Sequence, residues 1–299
     1  GLTAEEIAGI VATVPGGAAN VQDIYPLAPL QEGILFHHLL AGEGDPYLLD
    51  LLVGFADRAR LDAYLGALQA VIDRHDILRT AVLWEGLREP VQVVWRRAPV
   101  VVEEVVLEAA AGDAATQLRE RFAPRRYRLD VRQAPLVHLF IAQDPLSGRW
   151  LTQHLFHHLS MDHATLEIVQ QEMAAHLSGR SERLPQPLPF RNFVAQARLG
   201  ISAQEHEAFF GATLGDVDEA TAPFGLVDVH GDGSQIVEGR LAVDAELARR
   251  LRARSRALRV SSSSLCHLAW AQVVGRVSGR SDVVFGTVLF GRMQGVSGS

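Results

Sequence analysis

The stretch Gln153-His154-Leu155-Phe156-His157-His158-Leu159-Ser160-Met161-Asp162-His163 carries the strongest structural signal in this chain. Its first half alternates with the period of two that is typical of a strand, and beyond its end apolar residues recur with a helical period near 3.6. Four imidazoles therefore crowd one strand-to-helix corner. On such a strand His154 and His158 share one face and His157 points to the other, so His157 and His158 cannot do the same job.

Outward from this corner, the pattern predicts a mixed succession of strands and helices. Strands are predicted at 47–55, 77–84, 90–95, 100–107, 135–142, 149–159 and 282–290. Helices are predicted at 2–14 with Thr3 as its N-cap, from Pro29 onward, around 61–72, at 109–122, from Asp162 to Gly179, and near 203–214, 245–258 and 262–277. The fold class is therefore α/β or α+β, although the pattern alone does not order the strands.

Composition excludes several classes of protein. The 299 residues are 48% hydrophobic and carry a formal net charge of −7, which suits a globular core and argues against a nucleic-acid surface. All basic residues other than histidine are arginine, so lysine chemistry is excluded, and the single cysteine, Cys266, excludes internal disulfides. No membrane span and no signal peptide are visible, so we expect a cytoplasmic protein.

The histidine-rich corner has two functional interpretations beside a structural one. An imidazole can act as a base or hydrogen-bond partner in acyl transfer. A metal site of the His-x-His-x-Asp-His kind is the second interpretation, but Ser160 replaces the second histidine of that pattern. The third is a set of satisfied structural histidines beside a helix cap. Four histidines and an aspartate at one corner favour function.

Residues 157–163 resemble the HHxxxDG motif of nonribosomal peptide synthetase condensation domains, within the chloramphenicol-acetyltransferase-like superfamily, with His163 in place of the glycine. Four further stretches resemble motifs of the same family in the same order. They are Tyr25–His37, in a form seen in domains that take a D-configured donor, Arg74–Thr80, Phe190–Phe193, and Asp282–Val288 with Gly291-Arg292.

The resemblance implies two acetyltransferase-like lobes arranged in a V around a tunnel. Residues 1–20 would be a linker that follows a carrier domain, 21–183 the N-terminal lobe, and 184–299 a proline-rich linker and part of the C-terminal lobe. The family's unit is longer than this chain, so we expect the second lobe to be incomplete, and the chain by itself to be inactive.

The implied reaction is aminolysis, in which the acceptor amine attacks a carrier-bound donor thioester. His158 would be the catalytic residue at mid-tunnel, with His157 and Asp162 counted in the catalytic motif but assigned mainly to its architecture. Asp162 is expected to pair with Arg79, or failing that with Arg74, as structural support. The resemblance further assigns His163, Tyr25 and Gln31 to the substrate tunnel, with packing or a solvent-facing position as the alternative.

The expected partners are donor and acceptor peptidyl carrier domains and a neighbouring adenylation domain, with no nucleic acid and no membrane. No cofactor or metal is expected to be bound, because the substrates are carried on the phosphopantetheine arms of carrier domains. A non-catalytic carrier-docking module, a metal-dependent hydrolase, and ester or cyclisation chemistry remain as alternatives. Intact His157-His158 favours catalysis over docking, and the opening motif favours a D-donor and L-acceptor pairing.

Overall fold

The histidine-rich strand lies inside a four-stranded sheet. This computed structural model describes residues 1–219, 221–226, 237 and 239–287. The four strands of the sheet are β2 (Leu48–Phe55), β5 (Val101–Glu104), β6 (Val137–Gln143) and β7 (Trp150–His157), in the order β2-β7-β6-β5. The pairs β2–β7 and β6–β7 are antiparallel, and β5–β6 is parallel.

A second, antiparallel sheet has three strands, β1 (Val21–Pro26), β3 (Thr80–Leu83) and β4 (Val91–Trp95). Their order in the sheet is β1-β4-β3. The helices are α1 (Ala4–Thr13), α2 (Pro29–Leu40), α3 (Arg58–Arg74), α4 (Ala114–Arg121), α5 (His163–Leu177), α6 (Phe190–Leu199), α7 (Ala203–Leu214), α8 (Ala245–Leu258) and α9 (Ser262–Ser278). Apart from α6, each was predicted from sequence to within a few residues.

Hydrophobic side chains on both faces of β7 hold the larger sheet between helices. On one face Phe156 packs with Leu68 of α3 and Val169 of α5, and on the other Leu155 packs with Leu118 of α4. A third cluster joins Ile34 and Leu35 of α2 to Leu159, just beyond β7. The residues that follow β7 are therefore anchored in the interior through their apolar neighbours.

The chain divides into two compact units, of which the first contains Gly1–Ser202 and the second begins at Ala203. The sequence suggested a boundary at residue 184 instead. The difference arises because α6 packs on the first unit, where Phe190 and Val194 are buried and Arg198 donates to the carbonyl of Leu27. The predicted strand at 282–290 has no regular secondary structure as far as Thr287, and its last residues and Gly291-Arg292 lie outside the described residues.

Candidate functional site

Strand β7 ends at His157, and a tight turn carries the chain from there into α5. The His157 carbonyl accepts hydrogen bonds from the backbone N–H groups of Ser160 and Met161, at 3.1 and 3.2 Å. Asp162 then begins the helix as its N-cap, accepting from the Thr165 backbone N–H at 2.8 Å and its hydroxyl at 2.7 Å. The switch in period that the sequence displays is thus the end of a strand followed by a capped helix.

His157 is fully buried, and both of its ring nitrogens are engaged. Its Nδ1 accepts the backbone N–H of Leu159 at 3.1 Å, while its Nε2 lies 2.9 Å from Oδ2 of Asp45. Because Nδ1 must accept, the proton of the neutral ring is on Nε2 and is donated to Asp45. Burial lowers the pKa of His157, although the hydrogen bond to Asp45 opposes that shift, and the ring is neutral near pH 7.

The same carboxylate binds a second buried imidazole that the sequence did not single out for the site. His38 Nδ1 lies 2.5 Å from Asp45 Oδ2, and His38 Nε2 lies 3.3 Å from Arg128 Nη2. Burial raises the pKa of Asp45, but the hydrogen bonds from His157 and His38 more than offset it and hold the pKa well below its usual range. An ionised carboxylate therefore accepts a hydrogen bond from each of two buried imidazoles.

His38, Asp45 and His157 are also the group in the described part of the chain whose composition and spacing would suit a metal ion. Their surroundings do not suit one. A metal-bound imidazole normally donates its outer N–H to a carbonyl or carboxylate. Here the outer nitrogens of both rings face donors, the Leu159 N–H and the Arg128 guanidinium. The cluster is therefore organised by hydrogen bonds.

His158 is half-buried at the bend, next to this cluster. Its backbone N–H donates to the carbonyl of Tyr47 at 2.9 Å, and its ring lies edge-on to the Tyr47 ring with centroids 6.3 Å apart. His154, earlier on the same strand, is buried against Tyr64 of α3, and burial lowers its pKa to about 4. The neighbouring imidazoles thus have distinct environments, and His158 is the most exposed of these three.

The predicted ion pair between Asp162 and Arg79 is wrong, as is the alternative with Arg74. The guanidinium of Arg79 is buried and donates to the carbonyls of Ile72 and Trp95 and to Gln22 Oε1. Arg74 Nε instead lies 3.1 Å from Glu172 on α5. Each arginine is engaged in the packing around the end of α3, so neither reaches the Asp162 cap.

The stretch that resembles an arginine-histidine motif therefore has a structural role of its own. His75 Nε2 lies 2.8 Å from the buried Glu172, on the same oxygen that Arg74 approaches. Asp76 accepts the backbone N–H of Phe190, at the start of α6. Consecutive side chains thus fasten the end of α3 to α5 and α6.

The residues assigned to a substrate tunnel lie in three different environments. Gln31 is buried, and its amide bridges Gln92 Oε1 at 3.0 Å and the carbonyl of Leu159 at 2.8 Å, so it is an internal brace of the turn. Tyr25 is partly buried against the main hydrophobic cluster. His163 is exposed on the first turn of α5, 3.4 Å from Glu167. The packing and solvent-facing alternatives fit these positions, and the tunnel itself stays a prediction.

One cavity lies apart from this site. A cleft of about 640 Å³ runs between α1 and the turn that joins β3 to β4, and none of its lining residues belongs to the predicted site.

The side chains of His158, Asp162 and His163 do not form a metal-binding group within the described residues, so the metal interpretation of that motif finds no geometric support.

A family model described as "Condensation domain" matches residues 21–297. The chain belongs to the condensation-domain family of nonribosomal peptide synthetases. Malpibaldin synthetase and malpinin synthetase from Mortierella alpina are each 52% identical to it over 298 residues, the whole chain, which spans 5% and 4% of their lengths.

More distant relatives agree with this assignment. Tyrocidine synthase 2 from Brevibacillus parabrevis is 25% identical over 93% of this condensation domain, which spans 8% of that protein. The first condensation domain of the CDA synthetase has a TM-score of 0.63 at 16% identity and covers 91% of this chain, which covers 66% of it. The condensation domain of the polyketide synthase MokA gives 0.61 at 17% identity, covering 87% and 61%. These structures confirm the predicted chloramphenicol-acetyltransferase-like fold.

No helix that the structure describes in this condensation domain has the length and apolar character needed to cross a bilayer. The sequence had not distinguished His38 or Asp45 as members of the site. The sequence assigns the His37-His38 pair to packing or tunnel lining rather than to chemistry, and Asp45 is 112 residues from His157. No local pattern connects positions so far apart, so only the folded chain brings them together.

Proposed function

We propose that this condensation domain forms an amide bond between a donor thioester and the α-amine of an acceptor, both tethered to phosphopantetheine arms of peptidyl carrier domains. The observation that supports the proposal is that His157 and His158, at the end of β7, have different environments. Both ring nitrogens of the buried His157 are held by the protein, which leaves proton transfer to the half-buried His158.

In the proposed reaction, the acceptor nitrogen attacks the thioester carbonyl and a tetrahedral intermediate forms. The His158 imidazole accepts a proton from that nitrogen, the carbon–sulfur bond breaks, and the proton passes to the departing thiolate. An α-amine has a pKa of about 7.7–8.0, so prior deprotonation gains little near neutral pH. A positioned base in the transition state contributes about 10²–10⁴-fold, which is the effect assigned to His158.

The finer features of the proposal come from the resemblance and from the relatives. A D-configured donor and an L-configured acceptor follow from the form of the opening motif, Tyr25–His37. Carrier and adenylation domains are the proposed neighbours, and the cytoplasm is the proposed location. The Mortierella relatives are synthetases many times longer than this chain, which supports a place within a multidomain assembly line.

A two-carrier condensation assay in the full-length synthetase tests the proposal. His158→Ala is expected to lower the condensation rate by about 10²–10⁴-fold with normal folding, because it removes the proton acceptor and leaves the buried His157 network in place. Donors of both configurations are loaded in parallel, and faster transfer from the D-form is expected. Full activity of His158→Ala would reject the mechanism, and a clear preference for the L-donor would reject the stereochemical assignment alone.

A further inference from the structure

Asp45 occupies a position that the chain builds at some conformational cost. It follows Gly44, whose φ of +65° belongs to the left-handed region that favours glycine. A Cβ at Gly44 would lie 2.3 Å from the carbonyl oxygen of Arg125, so a side chain there would collide with backbone. The Asp45 backbone N–H donates to the carbonyl of Pro124 at 2.9 Å. The backbone position of Asp45 is therefore fixed by the close approach at Gly44 and by this hydrogen bond.

The side chain of Asp45 is connected to the backbone of His158 indirectly, by two separate routes. Oδ1 accepts the backbone N–H of Tyr47 at 2.9 Å, and the carbonyl of Tyr47 in turn accepts the backbone N–H of His158. Oδ2 accepts from His157, which precedes His158 in the chain. One fully buried carboxylate thus holds both the residue before His158 and the residue across from it.

We infer that Asp45 is a positioning residue for the His158 imidazole, with His38 as the residue that holds Asp45 in place. This inference rests on the proposed function, because it takes His158 as the proton acceptor. Asp45 makes no contact with the reacting atoms in this scheme. Its part is to fix the backbone from which the His158 side chain projects, on both sides at once.

The direction of every hydrogen bond in the cluster follows from groups that only donate. The Leu159 N–H makes His157 Nδ1 an acceptor, and the Arg128 guanidinium makes His38 Nε2 an acceptor. Both rings then present N–H to Asp45, whose two oxygens accept three hydrogen bonds in all. Arg128 also donates to the carbonyls of His38 and Gly44, so it connects the last turn of α2 to the residue before Asp45.

Asp45→Asn breaks this arrangement with little change in volume. The amide replaces one acceptor oxygen by an NH₂ donor, which faces either the Tyr47 N–H or the two imidazole N–H groups, depending on its orientation. Neither imidazole can reverse its tautomer without placing a proton against a fixed donor. One route to His158 is therefore lost in either orientation, and displacement of a catalytic group by about 1 Å can cost about 10²-fold in rate.

The experiment measures kcat and KM for condensation in the full-length synthetase with Asp45→Asn, and compares it with Glu172→Gln. Glu172 is a matched control, because it is also a buried carboxylate that binds a histidine, but it fastens α3 to α5 rather than the bend. We expect Asp45→Asn to lower kcat by about 10²-fold with unchanged KM for both carriers. Glu172→Gln should lower the melting temperature and leave kcat unchanged.

A second readout does not depend on activity. Long-range ¹H–¹⁵N spectra of histidine-labelled protein should place the proton of His157 on Nε2 and that of His38 on Nδ1, and Asp45→Asn should disturb both. The opposite tautomers would overturn the inference. If His158→Ala is inactive while Asp45→Asn keeps the wild-type kcat, the inference fails and the proposed function stands. If His158→Ala is fully active, both fail.

Discussion

At the scale of single residues, the two histidines of β7 differ in the groups that face their rings. His154 and His157 are both buried, yet only His157 has a carboxylate partner, and Nε2 of His154 makes no hydrogen bond. An alternating strand predicts which side chains share a face, and the period-2 argument separated His157 from His158 correctly. It contains no information about what faces each ring, because Tyr64 and Asp45 come from remote parts of the chain.

The burial of His154 predicts a dependence of stability on pH. Its pKa of about 4 in the folded protein lies below the unfolded value of about 6.5, so the unfolded chain binds a proton that the folded chain does not. The free energy of unfolding is therefore complete above pH 6.5 and falls as the pH is lowered toward 4, by roughly 3 kcal/mol from this residue. Urea titrations between pH 7 and pH 4 measure this loss.

His154→Leu isolates the effect from other acid-sensitive groups. Leucine keeps the volume, removes an unsatisfied buried nitrogen, and packs beside Leu51 and Leu139, which pair with position 154 across the sheet. We expect the variant to match or exceed the wild-type stability at pH 7 and to lose less of it on acidification. Parallel wild-type and variant curves would show that His154 does not contribute to the pH dependence.

At the scale of elements, the sequence predicts the secondary structure of the corner after β7 correctly, but the ion pair that it predicts for Asp162 is wrong. The period switch located the start of α5, and Asp162 is the N-cap of that helix. The expected ion pair with Arg79 is wrong because both candidate arginines have other partners. Arg79 donates to Gln22 Oε1, and Arg74 lies beside Glu172. Helix α6 was missed since its sequence was assigned to a motif and the prolines before it suggested only a linker.

Capping makes a prediction about Asp162 that differs from that of a buried ion pair. Asp162→Ala and Asp162→Ser both remove the charge, but serine retains an oxygen that can accept the Thr165 N–H. We therefore expect the serine variant to be more stable than the alanine variant by about 1 kcal/mol in urea unfolding. Equal stabilities would mean that the cap contributes nothing, and that any loss comes from the charge alone.

At the scale of the whole molecule, the two compact units differ sharply in how many hydrophobic side chains they bury. Of the hydrophobic side chains buried in the described residues, Val274 belongs to the second unit and all others to the first. Helices α8 and α9 leave large side chains such as Leu251, Leu268 and Trp270 exposed. Because burial of apolar surface is the main favourable term in folding, cooperative stability should be concentrated before Ser202.

Hydrogen exchange of the backbone amides checks this distribution in the chain as it stands. Amides of β6 and β7, between helices on both faces, should open only with large free energies, and their exchange should be slowest. Amides of α8 and α9 should exchange much faster although their helices begin with well-formed caps at Asp244 and Ser261. Capping contributes only about 1 kcal/mol per helix, which cannot replace a buried face. Equal protection in the two units would mean that α8 and α9 draw their stability from something other than burial within their own unit.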